Sequence, residues 1–124
     1  MELKEGMYIR TKYNDFCNMV AIRKIDEIDD DGSFWIDDYI IDTYGDEQNK
    51  LHEEDVEFAS EDIVNVIKPG DYVNGVEVEE INDKEIMLVD THLWIDKEVA
   101  NRLIESIVTK EQFEDIKYEV NKDE

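Results

Sequence analysis

The segment Leu3-Lys4-Glu5-Gly6-Met7-Tyr8-Ile9 returns 64 positions later as Ile67-Lys68-Pro69-Gly70-Asp71-Tyr72-Val73. Both copies read apolar–Lys–x–Gly–x–Tyr–apolar. Behind each copy come two short apolar runs, residues 20–25 and 33–36 in the first half and 76–81 and 85–89 in the second. A second self-match, residues 59–67 against 100–108, has a shorter offset. Self-similarity of this kind marks a duplicated supersecondary unit. It restricts the chain to two copies of one small motif, because 124 residues leave room for nothing larger in each half.

Local pattern decides that the motif is made of strands. Val76-Glu77-Val78-Glu79 alternates apolar and charged, the two-residue period of a half-buried strand. Fifteen Ile, six Tyr and two Trp suit a pleated surface better than a helix. Gly6 and Gly70 let the chain turn sharply into strands at Tyr8 and Tyr72. Asp29-Asp30-Asp31-Gly32, Asn74-Gly75 and Asn82-Asp83-Lys84 read as tight turns. Asp96 is placed to cap a helical turn over Lys97–Leu103. Thr109-Lys110-Glu111-Gln112 is a capping box that opens another. Ile116–Val120 then alternates like a last strand, and the final four residues are expected to fray.

The expected fold is mainly β: two tandem small SH3-like barrels, with under about a quarter of the residues in helix. Residues 1–67 form the first, with an acidic insertion or long loop at about 37–58. Residues 68–120 form the second, with a C-terminal extension of one helical turn and one strand, and 121–124 are a frayed tail.

Charge points to the kind of partner. Lys and Arg number 13 against 35 Asp and Glu, a formal charge of −22. Residues 1–25 are net +2, residues 63–124 net −9, and residues 26–62 carry sixteen acids and one base, Lys50, for a net −15. Such an excess costs stability through self-repulsion and confers solubility. Its concentration in one stretch points to a surface that meets something basic. Direct binding to DNA or RNA needs a basic footprint, and the basic cluster Lys4, Arg10, Lys12, Arg23 and Lys24 is small. No apolar run approaches the roughly 20 residues of a membrane span, and no segment reads as a signal peptide. Cys17 is the only cysteine, so the expected compartment is a reducing cytoplasm.

Motifs that carry chemistry are scarce. Glu27-x-Asp29-x-Asp31-Gly32, with Asp38 eleven positions after Glu27, resembles a calcium loop. Its first ligand is Glu instead of Asp, its last is Asp instead of a bidentate Glu, and its flanks are strand-like. It reads as an acidic hairpin turn. His52 and His92 lack a second ligand at zinc spacing, and Cys17 reads as a small buried residue. Phosphate-binding, dinucleotide-binding and nucleophile-elbow motifs are missing. The expectation is a non-enzyme without cofactor or metal. Trp35 lies on the opposite strand face from Phe34 and Ile36, so either it or that pair faces outward.

Residues 63–75 and 107–113, and the opening Met1–Thr11, resemble a phrase common in small acidic phage and prophage proteins of low-GC Gram-positive bacteria. The resemblance implies an origin and carries no catalytic residues. A small acidic phage protein of the host cytoplasm suits an inhibitor of a host defence or nucleic-acid-binding protein, of the anti-CRISPR or anti-restriction type. It would act as a DNA mimic that occupies a basic surface by long-range attraction. The expected binding residues are Asp29, Asp30, Asp31, Trp35, Asp37, Asp38, Asp42, Asp46, Glu47, Glu53, Glu54 and Asp55. The alternatives are a non-catalytic binder of a nucleotide signal and a plain protein-interaction module.

Overall fold

A computed structural model describes residues 2–116. Strand accounts for 42% and helix for 18%, so the fold is mainly β, as the alternation predicted. Five strands come first: β1 Tyr8–Thr11, β2 Ile22–Ile28, β3 Phe34–Ile41, β4 Glu47–Leu51 and β5 Val56–Ser60. Five more follow: β6 Tyr72–Val73, β7 Val76–Ile81, β8 Glu85–Leu88, β9 Trp94–Asp96 and β10 Ile107–Val108. Helix α1 (Lys97–Leu103) precedes β10 and α2 (Lys110–Ile116) follows it. Short 3-10 turns occupy Glu53–Asp55 and Ile63–Val66.

The strands form two antiparallel sheets, ordered β4-β3-β2-β1-β5 and β10-β6-β7-β8-β9. Read from its far edge, the second has the same succession as the first: fourth, third, second, first, fifth strand. The Gly turns match as well. Gly6 N–H donates to Ile25 and Ile25 N–H to Met7, both at 2.8 Å; Gly70 donates to Val78 and Val78 to Asp71, also at 2.8 Å. Both glycines hold φ near +90°, at +87° and +96°, where a Cβ is strained.

Neither sheet closes into the expected barrel. β4 and β5 remain the two edges of the first sheet, and β9 and β10 those of the second. Other elements cover the inner faces instead. Leu3, Met7, Phe16 and Met19 pack on the first core of Ile9, Ile25, Phe34, Ile36, Ile40 and Leu51. The second core, around Val66, Val73, Val78 and Ile86, is covered by Ala100 of α1 and by Ile63 and Ile104.

The stretch 37–58 is not an insertion or long loop. It completes β3, turns at Asp42–Asp46 and returns as β4 and β5. Burying Phe34, Ile36 and Ile40 stabilises the strand by about 1.5–3 kcal/mol each. Screened repulsion among exposed carboxylates is worth less than about 1 kcal/mol per pair, so the apolar spacing wins. The second self-match does not mark equivalent elements, for Ala59 lies in β5 and Ala100 in α1. Of the expected last strand, Ile116 belongs to α2, and residues 117–124, frayed tail included, lie outside the described residues.

The two sheets are tied together. Ile22 of β2 packs in the second core. Thr109 Oγ1 donates to the Val20 carbonyl at 2.6 Å. Arg10 of β1 reaches Asp71, and both are buried.

Candidate functional site

The acidic stretch builds the hairpin layer β2-β3-β4, and alternation sorts its side chains. On β3, Phe34, Ile36 and Ile40 point into the core, while Trp35, Asp37, Asp38 and Tyr39 are exposed. This settles the direction of Trp35: it faces outward. Register sets its neighbours, Glu27 on β2 and Lys50 on β4. Asp29, at the hairpin end, completes the group. Its Oδ2 accepts from the Trp35 indole N–H at 3.3 Å and lies 3.1 Å from Lys50 Nζ.

The twelve sequence-predicted residues fall into separate groups. Asp29, Asp30 and Asp31 share the β2–β3 turn, which closes through Asp29 N–H to the Ser33 carbonyl at 2.8 Å. Asp31 caps that turn, accepting from the Ser33 hydroxyl at 2.6 Å and the Ser33 amide at 3.0 Å. These bonds hold its carboxyl below the usual range, the hydroxyl contributing most. At the other end of the face, Asp38, Tyr39 and Glu47 line one shallow cleft. Glu54 lies apart, in a groove with Lys12, Tyr13 and Asp15. Glu53 and Asp46 are exposed.

Asp42 and Asp55 are buried structural acids and leave the binding set. Asp55 accepts from the Asn14 side-chain amide at 2.6 Å and from His52 N–H at 2.9 Å. Asp42 accepts from the backbone amides of Tyr44 and Asp46 and from Gln48 Nε2 at 2.8 Å. The Asp46 amide, then the Gln48 side chain, pull its carboxyl below the usual Asp range. A carboxylate with a depressed folded pKa contributes stability that is complete above the unfolded value of about 3.9 and is lost as pH falls through the folded one. Asp42→Asn is therefore expected to be less stable than the parent at neutral pH and to converge on it in acid. Thermal melts of both proteins across that range check this. A constant gap would refute it.

The basic cluster of the first 25 residues is dispersed. Arg10 is buried among carboxylates. Arg23 donates through Nε to the Tyr39 carbonyl and through Nη1 to that of Ile22, both at 2.9 Å. With Lys24 it lines a groove between the sheets that also exposes Asp37, Asp38 and Glu105. An anionic ligand would meet three carboxylates there.

No family model, curated protein or solved structure matches the chain. The site therefore has to be read from its own chemistry. Among the described residues, no three His, Cys, Asp or Glu are grouped to hold a metal ion, and no helix is long and apolar enough to cross a membrane. Cys17 is fully buried, its thiol donates to the Met19 carbonyl at 3.1 Å, and burial pushes its pKa up.

Sequence reasoning missed the pairing of Trp35 with Lys50. The pairing depends on an irregularity between Trp35 and Ile40, which shifts the β3–β4 register away from the one that the Asp42–Asp46 turn sets at Ile40 and Ile41. Only the lone base in an acidic run hinted that Lys50 has a local task.

Proposed function

We propose that this chain is a non-catalytic, phage-encoded acidic inhibitor that covers the basic nucleic-acid-binding surface of a host protein with the outer face of β2-β3-β4. One observation carries the reading. Glu27, Asp30, Asp37, Asp38 and Glu47 are exposed along β2-β3-β4 and its turn, and Trp35 is exposed among them on β3, on the stretch that holds −15 of the charge. Exposed carboxylates steer a basic partner from a distance, and an aromatic among them supplies contact area once it arrives. The resemblance to phage proteins supports the setting, in the cytoplasm of the bacterial host. The two sheets are read as tandem SH3-like units of common origin, supported by their shared strand order and matching Gly turns.

A nucleotide-signal binder is the poorer reading. Arg23 is already spent on backbone carbonyls and Arg10 is buried.

The immobilised protein is expected to retain a nucleic-acid-binding protein from a bacterial lysate and to release it to salt and to duplex DNA. Retention that neither salt nor DNA disturbs would overturn the reading. A thermal shift with a single nucleotide, insensitive to salt, would favour the small-ligand alternative.

A further inference from the structure

The outer face already holds a cation of its own. We propose that Trp35 and Asp29 form a receptor for one lysine or arginine side chain of a basic protein partner, and that Lys50 occupies this receptor until the partner's side chain displaces it. The inference rests on the acidic-face reading above. It adds where the partner's anchor sits and what competes with it.

Lys50 Nζ lies 5.2 Å from the centroid of the Trp35 ring and 3.1 Å from Asp29 Oδ2. The indole N–H donates to the same oxygen at 3.3 Å. One ammonium is thus held in two ways, by the ring's negative face and by a carboxylate, and the carboxylate is fixed by the ring. The strand register holds Trp35 directly opposite Lys50, so ring and occupant both sit on sheet, and Asp29 is held at the adjoining turn by its backbone bonds to Ser33 and Gly32. It is open: the side chains of Lys50 and Asp29 are 39% and 34% exposed, and Trp35 is 36% exposed. Lys50 is also the one base among the sixteen acids of residues 26–62. The same chemistry that seats Lys50 would seat an incoming ammonium or guanidinium, and the two cannot be there together.

An exposed cation–π contact of this kind changes an equilibrium roughly two- to fivefold. Removing the tethered occupant should therefore tighten capture of a cationic peptide by about that factor. The test uses an oligoarginine peptide and the Trp94→Phe protein, in which Trp35 is the single tryptophan. Lys50→Met is compared with Lys97→Met, which removes the same charge from the second sheet unit. The expected result is a peptide-induced change in Trp35 emission and roughly two- to fivefold tighter binding in Lys50→Met than in Lys97→Met. That gain, read by titration calorimetry because no tryptophan is then left, should vanish when Trp35→Leu is added. Equal gains from both lysine changes, a gain that survives Trp35→Leu, or unchanged Trp35 emission on binding would each overturn the receptor and leave the acidic-face reading standing. No binding to any variant at low salt would overturn both.

Discussion

Replacing Arg10 by Met is expected to remove about 3–5 kcal/mol of folding stability, because it leaves Asp71 charged and buried without its cation. Arg10 is 1% exposed and Asp71 is fully buried. The guanidinium meets the carboxylate through two parallel bonds, at 2.5 and 3.0 Å, and donates to the Val66 carbonyl at 3.2 Å and to Glu111 at 3.3 Å. Asp71 also accepts from the backbone amides of Lys68 and Lys110, at 2.8 and 3.0 Å. The pair therefore joins β1, the turn into β6 and the start of α2. Among the described residues, the one buried side-chain polar atom without a hydrogen-bond partner is Arg10 Nε, which lies 3.6 Å from Glu57.

Urea unfolding checks this with two built-in probes, since Trp35 belongs to the first sheet and Trp94 to the second. Read through single-tryptophan variants, the parent should give coincident transitions. Arg10→Met should shift both to lower urea and separate them, because the buried ionic tie between the sheets is gone and only the Ile22 packing and the Thr109–Val20 bond remain among those described. Adding Asp71→Leu should recover part of the loss, since replacing both charges removes the uncompensated one. An Arg10→Met protein that unfolds at the parent's midpoint would refute the account.

Arg10 also shows where sequence reading stops. In the sequence it was one of five bases near the N-terminus, and nothing local distinguishes it from Lys12. Its partner lies 61 positions away, at the position that aligns with Met7 when the chain is compared with itself. The match at Gly6 and Gly70 was legible because a positive φ leaves a local mark in the residue type. The caps at Asp96 and Thr109 were legible for the same reason: Asp96 accepts from Glu98 N–H at 2.8 Å, and Thr109 and Gln112 bond reciprocally at 3.0 and 3.1 Å. Residues 37–58 were misjudged because charge masked the spacing of Ile36, Ile40 and Leu51, all of them buried. Asp42 and Asp55 were counted as surface acids because a turn-capping carboxylate and a solvated one look alike in sequence. Closure of the sheets was overestimated because strand order alone does not bring the edges β4 and β5 together.

The same sorting of acids sharpens the last expected result. Asp30, Asp37, Asp38 and Glu47 are exposed along the segment proposed to bind, whereas Asp42 and Asp55 are buried and hydrogen-bonded within the fold. A single Asp→Asn change among the exposed four should be almost silent, since one screened ion pair is worth about 0–1 kcal/mol. Changing all four to amides removes four charges from a field that acts as a sum. The association rate with an arginine-rich partner should then fall about tenfold or more at low salt, within the range over which steering raises such rates. The two proteins should converge as salt shortens the screening length to a few ångström. Folding stability should hold or rise, because Asp37 keeps an acceptor oxygen for the Lys24 amide as Asn and mutual repulsion is relieved. Stopped-flow association across a salt series, alongside thermal melts, measures both halves. A folded fourfold variant that associates as fast as the parent at low salt would remove the acidic face from the mechanism.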